Sequence, residues 1–232
     1  MGSTGSFRKP KPRIRSSMVT PAAIILMVEA VTAPTHVDAP PTAPPCTEER
    51  GRAPAAPGTS PCRVNIVVPA FHGLALMTVM RATETVLWPD PFARSRWFGA
   101  HYEEAFTRPP KFDGDQSFMR WDGDPLVINV VGHGLFGSEL YLRARQCRLG
   151  WGGALAFAAA TSAVWEYAFE GNGVRPSAQD LIYTPLMGLG LGEVRYVIHQ
   201  AAGAMGSPTA RGIVRAVVDP LGELERAAGT DC

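Results

Sequence analysis

Between Val64 and Gln200 apolar residues gather in runs of helical length, each bounded by a proline, a glycine or a capping residue, and this pattern directs the chain to an all-α fold. The extreme case is Leu149 to Trp165, 17 residues without a charged side chain. Four helices are expected. The first spans Val64 to Trp88, with Pro69 as an alternative start, and stops before Pro89. The second opens with Asp124 as cap and Pro125 in its first turn, runs from Leu126 to Arg148 and ends at Gly150. The third covers Trp151 to Glu170 and is closed by Gly171-Asn172-Gly173. The fourth covers Ala178 to Gln200, opened by a capping-box variant of Ser177 and Asp180 and kinked at Pro185. The architecture expected is a small bundle of about four apolar helices behind a disordered amino-terminal region rich in Pro and Ala.

That region divides from the rest by composition. A basic stretch from Arg8 to Arg15, the apolar run Pro21 to Val28 and the small residues near Ala33 resemble a secretory signal over residues 1–35. Residues 36–62 alternate Pro, Ala and Thr and cannot bury enough apolar surface to offset ordering entropy, so they read as a linker. An apolar helix and an aromatic connector follow in 63–110, the helical domain in 111–202 and a tail in 203–232. Five of the 22 basic residues lie between Arg8 and Arg15, ahead of the first acidic one, leaving 17 against 21 acidic ones, so no clustered charge argues for nucleic acid as a partner. Cys46, Cys62, Cys147 and Cys232 make no C-x-x-C pair and no zinc site. Cys46 and Cys62 flank the proline-rich stretch and are candidates for a disulfide in an oxidising compartment.

Polar residues inside the apolar helices are the site candidates. Asn129, His133, Gly137, Tyr141 and Arg145 recur every four residues and form a slanted stripe on one helix. Ser162, Glu166 and Glu170 repeat the spacing on the next, beside Trp165. Two carboxylates and a histidine suit a metal or a proton transfer. The simpler reading is structural: a buried Glu accepts hydrogen bonds from Tyr141, Arg145 or a helix terminus and fixes how helices dock. Asp180 reads as a cap, and Glu193 as a partner of Arg145 or Arg195. The turns Asp113-Gly114-Asp115 and Asp122-Gly123-Asp124 are explained by turn chemistry, and His72 and His101 receive no role. Gly132, Gly134, Gly137, Gly188, Gly190 and Gly192 permit close helix approach.

The run Trp121-Asp122-Gly123-Asp124-Pro125, followed by Asn129, His133, Gly137, Tyr141 and Arg145, resembles the start of the bacterial family called domain of unknown function 3943. The likeness continues through Ser162, Trp165-Glu166-Tyr167, Glu170, Ser177, Gln179-Asp180-Leu181, Thr184-Pro185, Gly188 and Gly192-Glu193, and covers roughly Phe112 to Gln200. Gly134 departs from the proline expected after the histidine. The resemblance implies an exported or envelope-associated bacterial protein and brings no reaction with it.

Three functions are compatible with these features. The first is a structural or partner-binding protein of the cell envelope, periplasmic or membrane-associated, with a membrane lipid or an envelope protein as partner, no cofactor, and homo-oligomerisation left open. The second is an envelope hydrolase or transferase in which His133 and Glu166, with Glu170 or Asp180, act on a lipid or glycan, with or without a divalent metal. No G-x-S-x-G, H-E-x-x-H or Walker loop supports it. The third is a translocation path marked by buried charge, which three or four short helices provide only in an oligomer.

Overall fold

A computed structural model of the protein describes residues 64–230 and 232. The signal-like segment, the linker and the Cys46/Cys62 pair lie outside the described residues. Helix α1 (Val67–Leu87) starts where Asn65 Oδ1 accepts the Val67 and Val68 N–H groups at 3.0 and 3.3 Å, and it ends at the proline the sequence supplies. A single turn at Pro89–Phe92 leads to α2 (Phe98–Thr107). A π-helical segment, Ile128–Gly132, opens α3 (His133–Gln146). Helix α4 (Trp151–Val164) is prolonged by a second π-helical segment, Trp165–Glu170. Helix α5 (Ala178–Met187) contains Pro185 and passes through a third, Gly188–Gly192, into α6 (Glu193–Gly203). Pro185 has no N–H to donate to the preceding turn, and the register changes directly after it. The segment read as a carboxy-terminal tail is itself helical, with α7 (Pro208–Val218) and α8 (Pro220–Ala227).

The fold is all-α. Among the described residues the sole β feature is an isolated parallel bridge between Lys111 and Ser177. The apolar segments read from the sequence are α1, α3, α4 and the pair α5–α6.

Helix α3 lies at the centre, packed on α1, α4, α5 and α6. The core joins Met77 of α1 to Phe136, Leu140, Tyr141 and Ala144 of α3, Ala154 and Ala158 of α4, and Trp165. Close approach is achieved by glycine at particular places. A Cβ on Gly137 would overlap the Thr184 carbonyl of α5, and one on Gly192 would meet the Tyr141 side chain at 2.9 Å. Gly190, on the same stretch, faces open space, so only part of the glycine pattern serves packing.

Among the described residues no helix is long and apolar enough to cross a membrane. The charge-free run Leu149–Trp165 buries Ala154, Ala158, Thr161 and Ser162 within the bundle. Many apolar side chains nevertheless face outward, among them Val67, Phe71 and Leu74 on one stripe of α1 and Val127, Val131 and Leu135 along the start of α3.

A buried acidic cluster between three helices

The start of α5 organises the site. Ser177 caps it, its Oγ accepting the Asp180 N–H at 3.2 Å. The Ser177 N–H, which a capping box directs to its own third residue, is instead donated to Glu166 Oε2 on the π-helical end of α4, at 2.7 Å. Ser177 Oγ donates in turn to Asp122 Oδ2 at 2.8 Å. The other oxygen, Asp122 Oδ1, accepts from the Asp124 N–H and from Asn129 Nδ2, both at 2.9 Å. From α3, His133 places Nδ1 3.1 Å from Thr184 Oγ1 and Nε2 3.6 Å from Asp180 Oδ2. Ser162 Oγ donates to the Asp180 main-chain oxygen at 3.3 Å.

One ligand atom each from His133, Glu166 and Asp180 lies within 4.8 Å of the others, and the three residues are no more than 5 % exposed. Among the described residues no Lys or Arg pairs with Glu166, Glu170 or Asp180. Glu166 Oε1 is buried without a hydrogen-bond partner among the described residues, as are Asn129 Oδ1 and the indole N–H of Trp165. The ring of Trp165 stacks on Phe169 at 6.0 Å and tilts against Phe136 at 5.9 Å, closing the apolar side.

Protonation follows from this isolation. Burial, reinforced by the Asp122 charge, pushes Glu166 up to about 8, although the Ser177 N–H pulls the other way. Burial and the neighbouring Glu166 push Asp180 up to about 9. Glu170, buried and beside Glu166, rises well above the ordinary carboxylate range. Glu84 of α1 faces the same group and is pushed by burial to about 7. Burial would raise Asp122 as well, but the hydrogen bonds from Asp124, Asn129, Ser177 and Asp180 outweigh it and hold the carboxylate ionised. Burial takes His133 down to about 4 against the pull of Asp122. At neutral pH the cluster is therefore a neutral imidazole and protonated carboxyls arranged around one carboxylate.

The polar stripe on α3 is divided between two partners. Asn129 and His133 enter the acidic cluster, and Gly137 touches α5. Tyr141 and Arg145 belong to a separate group: Tyr141 Oη donates to Glu193 Oε2 at 2.7 Å, and Arg145 grips both Glu193 oxygens at 2.9 and 3.2 Å. Arg145 also lies 4.3 Å over the Tyr196 ring. Arg195 turns instead to Glu139 and Ser138. Glu170 approaches the cluster by charge alone, and Asp180, expected as a cap, gives only its main-chain N–H to the Ser177 cap while its carboxyl joins the cluster. Asp122 is more than a turn residue, since both its oxygens tie α3 and α5 to the turn. His72 corrects the sequence reading: its Nδ1 lies 2.6 Å from Glu225 and its Nε2 3.5 Å from Glu139, partners too distant along the chain for spacing to reveal.

The family described as domain of unknown function (DUF3943) matches residues 118–221, which takes in Asp122, Asn129, His133, Glu166, Ser177, Asp180 and Glu193. These residues form a DUF3943 domain. No curated protein and no solved structure matches the chain.

Proposed function

We propose that the domain binds one divalent first-row transition ion through His133, Glu166 and Asp180, and that the ion fixes the docking of α3, α4 and α5 in an exported protein with a structural or partner-binding role at the bacterial cell envelope. The observation that carries this reading is the set of three buried ligand atoms within 4.8 Å of one another, without a basic partner. Two donors on a tetrahedral ion at about 2.1 Å stand roughly 3.4 Å apart, close to the His133 to Asp180 separation of 3.6 Å. One imidazole with two carboxylates suits Zn2+ or Mn2+ better than the all-oxygen shells of Ca2+ or Mg2+. Near-complete burial of the three side chains favours a closed, structural site. Hydrolysis or transfer on an envelope lipid or glycan needs a position open to substrate, which makes it the weaker alternative. Metal analysis of the purified full chain tests the reading. Titrated with Zn2+, the natural protein should hold one ion per chain more than E166Q/D180N. Equal stoichiometry in the two proteins would remove this site.

A second component concerns place. The outward stripes Val67, Phe71, Leu74 and Val127, Val131, Leu135 support attachment to a lipid surface without crossing it. A disulfide between Cys147 and Cys232, with Cα atoms 5.0 Å apart, supports an oxidising compartment. The full chain should float with vesicles of phosphatidylethanolamine and phosphatidylglycerol, and Phe71→Ser should weaken flotation. A chain that stays at the bottom of the gradient would assign these stripes to a protein partner.

A further inference from the structure

His199, on α6, is only 6 % exposed, yet neither of its ring nitrogens has a hydrogen-bond partner among the described residues. It stands apart from the acidic cluster and faces the carboxyl groups that open α8. Nε2 lies 3.7 Å from Asp219 Oδ2 and 3.8 Å from Glu223 Oε1, too far for hydrogen bonds. The three ligand atoms nevertheless fall within 4.8 Å of one another. These separations again suit donors sharing one tetrahedral ion, which stand roughly 3.4 Å apart.

The surroundings hold this arrangement in place. Asp219 is 1 % exposed and pinned on two sides: Oδ1 accepts the Gly222 N–H at 3.0 Å and Oδ2 accepts Gln146 Nε2 at 2.6 Å. Each carboxylate oxygen retains a second lone pair for a cation. Glu223 forms an ion pair with Arg226, and Arg215 also acts on His199 by charge. Arg226 donates to Glu223 Oε1, the oxygen that also faces His199, and supplies no ligand atom, so the donors are one neutral imidazole and two carboxylates, one of them shared with a guanidinium. Glu223 is partly open to solvent, which gives an ion a way in and out.

We propose that His199, Asp219 and Glu223 form a second divalent-cation site, of the type that accepts Zn2+, and that the bound ion fastens α8 to α6. The orphaned imidazole becomes a ligand, and two helices separated in the chain by α7 gain a common point of attachment. The site is independent of the buried cluster, because it shares no residue with it.

The experiment uses the full chain, stripped with EDTA, retitrated with Zn2+ and weighed by native mass spectrometry, with circular dichroism to verify that each variant is helical. E166Q/D180N should retain one ion per chain, and adding H199Q should remove it. E223Q, at the partly exposed ligand, should weaken one ion at least tenfold and serves where H199Q does not fold. A single ion lost in H199Q and kept in E166Q/D180N supports the second site and removes the first. A single ion lost in E166Q/D180N and kept in H199Q and E223Q overturns the proposal and leaves the buried cluster as the metal site. No ion in any protein overturns both.

Discussion

Glu166 Oε2 accepts the main-chain N–H of Ser177 at 2.7 Å, so α4 completes the cap of α5 from outside. Asp180 keeps the other half of the box through its own N–H to Ser177 Oγ. Its carboxyl is thereby released from capping and turns toward Asp122 and His133. One displaced hydrogen bond links helix initiation to assembly of the cluster.

Glu166→Ala leaves the Ser177 N–H buried and unpaired, and the expected loss of stability is about 1–3 kcal/mol for the stranded donor, with further loss from the space left behind. Glu166→Gln keeps an acceptor in place and should cost less than the alanine variant at pH 7. Urea denaturation of both proteins in EDTA measures the difference. If the alanine variant is the more stable of the two, Glu166 does not cap α5.

The metal-free protein should lose stability as pH rises from 7 to 9. Glu166 and Asp180 are held at about 8 and about 9 in the folded chain, above their ordinary values of 4.5 and 3.8, so folding retains protons that the unfolded chain has already released. Their contribution is complete below the ordinary values and disappears as pH climbs through the raised ones. His133, lowered to about 4 in the folded chain from an ordinary 6.5, has released most of its proton in both states by pH 7 and opposes the trend only weakly at the start of the window. Saturating Zn2+ should flatten the slope, since an ion takes the place of the protons. Thermal midpoints with EDTA and with Zn2+ at pH 7, 8 and 9 provide the check, and an EDTA curve that rises with pH would remove the buried acids from the account.

Much of the site could be read from the sequence because its residues repeat at helical spacing. Asn129 and His133 on one helix and Ser162 and Glu166 on another declared a face each, and a face that is polar inside an apolar run must meet something. What it meets is set by tertiary packing. Asp122 looked like a turn residue because its Oδ1 does make the turn, while the bond from Ser177 to Oδ2 joins positions 55 apart. His72 seemed alone because Glu225 lies 153 positions away. The three π-helical segments add a residue to a turn without a sequence mark of their own, apart from Pro185 before Gly188–Gly192. The helices after Pro208 were missed because they are short and half polar, and they hold the whole acidic side of the His199 group.

Gly137→Ala should be among the most disruptive single changes in the domain. The added methyl meets the Thr184 carbonyl, which is main chain on a packed helix and cannot swing aside as a side chain does. The expected cost is about 3 kcal/mol or more, the upper range for overpacking. Gly190→Ala meets nothing within 4 Å and should be neutral or gain up to about 1 kcal/mol from helix propensity. Chemical denaturation of the pair decides between a packing contact and general glycine intolerance, and equal effects would refute the contact.

The Tyr141, Arg145 and Glu193 group provides the last test, because it distinguishes a helix clamp from the acidic cluster. Burial would raise the Glu193 carboxyl, but the hydrogen bonds from Arg145 and Tyr141 outweigh it and leave it below its ordinary value. Its stabilisation is therefore present at neutral pH and should fade as the solution is acidified through the carboxylate range, the opposite sense to Glu166 and Asp180. Glu193→Ala strands the Tyr141 hydroxyl and one face of Arg145 and should cost about 2 kcal/mol at pH 7. Tyr141→Phe removes one hydrogen bond and should cost about 1 kcal/mol. Because the two residues share that bond, the double variant should cost less than the sum of the two, by about 1 kcal/mol. Zn2+ stoichiometry should be unchanged in all three proteins, since the clamp shares no residue with either metal site. Additive losses would show that Tyr141 and Glu193 are not coupled and would remove the clamp, and a lost ion would show that the stripe on α3 works as one unit instead of two.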